Sequence, residues 1–159
     1  MKQKIAILAI LITCSFKLFS FATNNLSYQT ECISMEMDGY ITLKIWDTKK
    51  GVNYTSEQSR KDAIHAILYS GIAGIKGCTT QAPLLNKIEA QENFKNIEKS
   101  FFSIKGKWTM FTRNSEIETT LPENLGLKNW KVYQVSVSKN ELRKYLEEQK
   151  IIKSLNNGF

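Results

Sequence analysis

Alternation of apolar and polar residues marks the first regular element of the chain. A strand is predicted from about Met37 to Trp46, where Ile41, Leu43 and Ile45 alternate with Thr42, Lys44 and Trp46. A period of two puts one face of a strand in a core and the other toward solvent. The Asp38-Gly39 pair predicts a bulge or a turn inside a longer strand that begins near Cys32.

Two segments with helical spacing follow this strand. Thr55 or Ser56 offers an N-cap for a helix that runs to about Ser70, where Gly71 can supply a left-handed cap. Its apolar stripe consists of Ala63, Ile64, Ile67 and Leu68. A second helix is predicted from about Ile88 to Phe102, with Phe94, Ile97 and Phe101 on one face.

The last third of the chain predicts two strands and a helix. Alternating residues indicate strands at Lys107 to Arg113 and Trp130 to Val137, joined by a long hairpin connection from Asn114 to Asn129. Ser138 and Glu141 form a capping box for the final helix. Its apolar residues are Leu142, Tyr145 and Leu146, and beyond them Ile151, Ile152, Leu155 and Phe159 are expected to pack on the domain.

The element order β-α-α-β-β-α favours an α+β fold. We expect a two-layer domain: a mainly antiparallel sheet of three or four strands with helices on one face. If the first two predicted strands were neighbours, they would run parallel through a right-handed helical crossover.

The start of the chain has the pattern of an export signal. Lys2 and Lys4 precede an apolar run from Ile5 to Cys14, and the Ser20-Phe21-Ala22 tripeptide predicts cleavage after Ala22. Lys17 interrupts the apolar run well short of the roughly 18 residues that a membrane-spanning helix needs. We therefore predict a signal peptide over 1–22 and a single exported domain over 23–159, periplasmic or extracellular. The alternative is a lipobox that makes Cys14 a lipid anchor.

Charge and length limit the classes of partner. Removal of the three signal-peptide lysines lowers the formal net charge from +7 to +4, and the remaining basic residues are spread along the chain. That modest excess predicts no nucleic-acid partner. An envelope protein or a glycan is the expected partner, and the sequence indicates no particular oligomeric state.

Two cysteines, Cys32 and Cys78, survive the predicted cleavage. An even number in an oxidising compartment favours a disulfide between them, since both are expected at the same end of the domain. Two alternatives stay open. The thiols could be unpaired and buried, or Cys78 could react as a nucleophile with His65, although Cys78 follows a helix C-terminus where a thiolate is disfavoured.

No other pattern indicates catalytic, cofactor or metal chemistry. Gly71, Gly74 and Gly77 follow a helix, whereas a phosphate loop precedes one, so they are interpreted as a connector or a mobile binding loop. One histidine and two distant cysteines give no metal-ligand spacing. Candidates for an exposed aromatic binding surface are the three tryptophans, Trp46, Trp108 and Trp130.

Three segments carry a resemblance: Gln58 to Gly71, Gly77 to Leu85, and Leu142 to Phe159. They resemble a group of small uncharacterised secreted proteins of Bacteroides-type bacteria. The resemblance implies export and one compact domain, and it implies no activity for any residue.

These observations favour a non-enzymatic envelope accessory or binding protein, which would present its sheet face or the Asn114 to Asn129 loop to a partner. The alternative is a small hydrolase acting on cell-wall or carbohydrate material. An enzyme predicts titratable groups with shifted pKa values converging on one pocket, whereas a binding module predicts an apolar or aromatic patch with none.

Overall fold

The computed structural model describes residues 26–75, 77–113 and 130–154, and the backbone of 116–118. The predicted signal peptide, the candidate anchor Cys14, most of the Asn114 to Asn129 connection, and the terminal Leu155 and Phe159 lie outside the described residues.

In the described part of the chain, four antiparallel strands form one sheet. These are β1 (Tyr28–Met35), β2 (Tyr40–Asp47), the short β3 (Glu116–Glu118) and β4 (Val132–Ser138). Their order across the sheet is β1-β2-β4-β3. Every strand pair in the described residues is antiparallel. The parallel crossover does not occur there, because the second predicted strand, Lys107 to Arg113, does not join the sheet as a strand.

The first predicted strand is in fact a hairpin of two strands. The Asp38-Gly39 pair forms the turn between them, with Gly39 at a φ of 85° and the Glu36 amide donating to the Tyr40 carbonyl at 2.8 Å. β1 lacks clear alternation because it is an edge strand on which only Tyr28 and Cys32 are buried. Its register also shifts between Cys32 and Ser34.

Three helices agree with the predicted ones. Helix α1 (Ser56–His65) continues into a π-helical turn, Ala66–Ser70. Thr55 is its N-cap, and the Thr55 hydroxyl accepts a hydrogen bond from the Gln58 amide at 3.2 Å. Helix α2 spans Ile88–Phe101. Helix α3 (Lys139–Glu148) begins directly after Ser138, but the Ser138 side chain makes no capping hydrogen bond, so the predicted capping box is not formed.

The strand predicted at Lys107 to Arg113 is wrong. Lys107–Phe111 is a 3₁₀ helix, and only Thr112 forms an isolated bridge, with Val137 of β4. Side chains three residues apart eclipse in a 3₁₀ helix. Trp108 and Phe111 therefore share the buried side. The burial pattern of this segment therefore follows a spacing of three residues and not the alternation of a strand.

The core fills the space between one face of the sheet and the helices. Alternate residues of the two central strands face it, namely Ile41, Leu43 and Ile45 of β2 and Tyr133, Val135 and Val137 of β4. The helices contribute Ile64 of α1, Phe94 and Phe101 of α2, and Leu142 and Leu146 of α3 to the same core. The predicted two-layer α+β architecture is confirmed.

A disulfide joins Cys32 of β1 to Cys78, which lies in the connection after the π-helical turn. Their Cα atoms are 6.3 Å apart, and the bond spans 46 residues of sequence. Closing a loop of that length stabilises the folded state by roughly 4 kcal/mol in the chain-entropy description. The bond also leaves Cys78 without the free thiol that a Cys78–His65 nucleophile would need.

Candidate binding groove

An open groove of about 760 Å³ lies between the segment 81–93 and helix α3. Apolar lining residues include Leu84, Ala90 and Ile151, and side-chain amides come from Gln81, Asn86 and Asn93. No aromatic side chain is among the described residues that line it. The groove therefore offers hydrogen-bonding and charged groups around an apolar strip.

Backbone hydrogen bonds to the π-helical turn fix the first wall of the groove. The amides of Leu84 and Leu85 donate to the carbonyls of Ile67 and Leu68 at 3.0 and 2.9 Å. Ile72 and Gln81 exchange both of their backbone hydrogen bonds, at 2.8 and 2.9 Å. Thus the segment leading into α2 is held firmly against the core, although it belongs to no strand or helix.

Helix α3 supplies the second wall. Lys139, Arg143 and Glu147 follow one another at intervals of four residues, the spacing that aligns side chains on one helical face. The adjoining face carries Leu142 and Leu146, both fully buried. Because these leucines are anchored in the core, the charged residues beside them lie at its margin, where they line the groove.

Positive charge predominates in the groove. Among the described residues, its lining contains five basic side chains, Lys87, Lys139, Arg143, Lys150 and Lys153, and two acidic ones, Glu89 and Glu147. The Arg143 guanidinium donates to Glu147 at 3.0 Å, which neutralises one of the two carboxylates. Within the described residues Lys87, Lys150 and Lys153 form no ion pair. Such a surface attracts an anionic partner.

Lys139 joins the two walls. Its ammonium donates to the Gln81 side-chain oxygen at 2.5 Å. Burial lowers the pKa of Lys139, and the neighbouring Arg143 charge lowers it further. A negative group in the groove would oppose both effects, because it would favour the charged form of this lysine.

The second cavity is shallow, at about 340 Å³, and lies between the end of α2 and the 3₁₀ helix. Phe101 and Tyr145 form part of its lining, and Lys105 and Lys107 lie at its edge. It has fewer polar groups converging on it than the groove has. We therefore regard the groove as the candidate site.

Most groups with shifted pKa values form a buried cluster away from both cavities. The hydroxyl of Tyr54, which is fully buried, donates to one Asp62 carboxylate oxygen at 2.8 Å. The side-chain amide of Gln58 donates to the other oxygen at 2.9 Å. Burial raises the pKa of Asp62, while these two hydrogen bonds act in the opposite direction. Burial, aided by the Asp62 charge, also raises the pKa of Tyr54.

His65 belongs to the same region. Its Nδ1 atom lies 2.8 Å from the Tyr28 hydroxyl, and its ring packs against Tyr69 with centroids 4.6 Å apart. Burial lowers the pKa of His65. Each of these groups has a protein partner, so the cluster is a structural network under the sheet. Sequence analysis missed it, although Asp62 directly precedes the apolar Ala63 and Ile64 on α1 and so signals a buried carboxylate.

Two of the three candidate tryptophans are not on the surface. Trp46 is 7% exposed and Trp108 is 2% exposed, so neither ring can serve as an exposed aromatic platform. Trp108 instead donates its indole N–H to the Ser103 carbonyl at 2.7 Å, which fastens the 3₁₀ helix to the end of α2. Trp130 is half-buried. Its role in binding stays a prediction.

Among the described residues, no group of three or more His, Cys, Asp or Glu side chains could hold a metal ion. No helix in that part of the chain has the length and apolar character to cross a membrane.

Fold and groove together define a two-layer α+β domain with a basic cleft between a loop and its last helix. No protein-family model, curated protein or solved structure matches the chain. The resemblance to secreted proteins of Bacteroides-type bacteria therefore stays a prediction.

Proposed function

We propose that this chain is an exported, non-enzymatic binding protein of the cell envelope, and that the groove between 81–93 and α3 is its partner site. The observation that carries the proposal is the lining of that groove. Basic side chains from two separate parts of the sequence converge there around an apolar strip. This combination suits recognition of a charged partner.

Two features support export. The disulfide between Cys32 and Cys78 is of the kind that persists in oxidising compartments. The basic and apolar pattern of residues 1–22 is typical of a signal peptide that is cleaved after Ala22. Lipid attachment at Cys14 is the alternative route to the envelope.

The groove is better suited to binding than the outer face of the sheet. On that face Thr42, Trp46 and Val132 are buried, and Lys44, Gln134 and Ser136 are only partly exposed. The exposed large apolar residues of the described chain, such as Met37 and Ile104, are scattered singly over different elements. Scattered residues of this kind are normal on a soluble surface.

The hydrolase alternative has less support from the geometry. Hydrolysis by paired carboxylates requires two such groups with distinct protonation states in one cleft. Of the two carboxylates in the described lining of the groove, Glu147 is bound to Arg143. The raised carboxyl pKa of the described chain is that of Asp62, which is engaged by Tyr54 and Gln58 in the buried cluster.

Site-specific photo-crosslinking in intact cells tests the proposal. A benzophenone amino acid replaces Asn86 or Asn93 in the groove or, as the control, the exposed Gln29 on the outer face of the sheet. We expect ultraviolet-dependent adducts in the envelope fraction from the two groove positions and not from Gln29. Adducts only from Gln29, or from none of the three positions, would contradict the groove as the partner site.

A further inference from the structure

We propose that the groove binds an extended acidic segment of a partner protein, and that Lys150 is one of the residues that recognise it. The proposal rests on the proposed function, because it names the chemistry of the partner at the same groove. It is carried by an unusual backbone conformation at the end of α3 and by the spacing of cations along that helix.

A complete Schellman motif ends α3. The Ile151 amide donates to the Leu146 carbonyl at 2.9 Å, and the Lys150 amide donates to the Glu147 carbonyl at 2.9 Å. Ile151 is buried close to Leu146, which adds the apolar contact that accompanies this motif. The position between the last helical turn and Ile151 must then adopt a left-handed conformation, and it is occupied by Lys150.

Glycine is the usual residue at this position, since a Cβ atom makes left-handed backbone unfavourable. Lys150 has a φ of 57°, the one positive φ among the described residues other than glycine. Its side chain lines the groove and forms no ion pair within the described part of the chain. Lys150 therefore destabilises the end of its own helix and places an unpaired charge at the groove. Strain of this kind is often found at functional sites.

The row of cations fits a linear anion. From Lys139 to Lys150 the helix and its cap extend over roughly 16 Å at 1.5 Å per residue, the length of about five residues of an extended peptide. Lys139 and Arg143 are about 6 Å apart by the same measure, close to the distance between alternate side chains of a strand. Carboxylates at alternate positions of an extended peptide can therefore reach Lys139 and Arg143. Glu147 occupies the next position of the row and is paired with Arg143, and Lys150 lies beyond it.

Other lining groups favour a peptide over a sugar polymer. The side-chain amides of Asn86 and Asn93 both donate and accept, as the groups of a peptide backbone require. Leu84, Ala90 and Ile151 offer apolar surface for small side chains. The described lining contains none of the aromatic rings on which sugar rings stack.

Fluorescence anisotropy with labelled probes tests the ligand class on the mature protein. The probes are a decapeptide of alternating Asp and Ala, the same peptide with Asn in place of Asp, and penta-galacturonate, which carries the same five carboxylates on a sugar chain. We expect the Asp peptide to bind more tightly than both other probes and its affinity to fall as salt is raised. Equal binding of the Asp and Asn peptides, or tighter binding of the galacturonate, would overturn the proposal.

Lys150→Gly separates recognition from structure. We expect this variant to bind the Asp peptide about threefold more weakly, the effect of losing one exposed ionic contact, while its urea midpoint rises because glycine relieves the left-handed strain. Lys150→Arg retains the charge and should retain the affinity. Lys95→Ala, which removes an exposed lysine of α2 outside the groove, is the charge-matched control and should bind normally. Unchanged affinity in Lys150→Gly would exclude the role of Lys150.

The two proposals fail differently. Crosslinks at Asn86 in cells together with no preference for the Asp peptide would leave the groove as a partner site and remove the acidic peptide as its ligand. Absence of those crosslinks contradicts the partner site itself, whatever the peptides do.

Discussion

At the scale of single residues, the buried carboxylate Asp62 shows how burial and hydrogen bonding oppose each other in the interior. Burial destabilises its charged form, and the hydrogen bonds from Tyr54 and Gln58 compensate for part of that effect. Because the pKa of Asp62 is raised in the folded state, its favourable contribution is present below the ordinary carboxyl pKa. That contribution is lost as the pH rises through the folded-state value.

A double-mutant cycle tests this balance. At pH 8 we expect Tyr54→Phe to lower the free energy of unfolding by about 2 kcal/mol, because Asp62 then loses a hydrogen-bond donor in a buried site. In an Asp62→Asn background the same substitution should lower it by only about 1 kcal/mol, since the acceptor is no longer charged. Urea denaturation of the four proteins measures both values. An equal loss in both backgrounds would show that Asp62 carries no charge in the folded protein at that pH.

At the scale of elements, hydrophobic periodicity predicted the helices and strands whose own sequence repeats an apolar face. Strand β2, the three helices and β4 were predicted because each has a repeating apolar face of its own. β1 was merged with β2, since an edge strand with a register shift carries little alternation. Lys107–Phe111 was assigned to the wrong element because its burial follows the three-residue spacing of Trp108 and Phe111.

The candidate site could be predicted only in part, for a related reason. The alignment of Lys139 and Arg143 on one face of α3 is visible in the sequence. The opposing wall, 81–93, lies about fifty residues away and is positioned by backbone hydrogen bonds to Ile67 and Leu68. No local pattern encodes such a contact, and the left-handed conformation of Lys150 is equally invisible where glycine is absent.

Two glycines test how tightly the elements approach one another. A Cβ atom on Gly106 would collide with the carbonyl oxygen of Phe101, where α2 meets the 3₁₀ helix, whereas in the described structure a Cβ on Gly77 would meet nothing within 4 Å. Gly77 has a φ of 95°, so alanine there is strained but does not clash. We expect Gly106→Ala to lower the free energy of unfolding by about 3 kcal/mol and Gly77→Ala by about 1 kcal/mol. Urea denaturation gives both values, and a smaller loss for Gly106→Ala than for Gly77→Ala would contradict the close approach.

At the scale of the whole molecule, one continuous stretch of chain connects the disulfide to the groove. Cys78 is tied to β1, and the chain then passes through Gln81 and Leu84 into the wall of the groove. The bond therefore supports the segment that carries the proposed site, in addition to restricting the unfolded chain. Disulfides of this kind persist in oxidising compartments.

Intact mass spectrometry of the protein purified from its native envelope fraction tests export and the disulfide together. Signal-peptide cleavage after Ala22 predicts a chain that begins at Thr23 and carries two cysteines. We expect no thiol alkylation before reduction and two added groups after it, because Cys32 and Cys78 are bonded to each other. A lipid mass on Cys14 would replace the soluble form by an anchored one. Alkylation without prior reduction would contradict the bond, and with it the main support for an oxidising location.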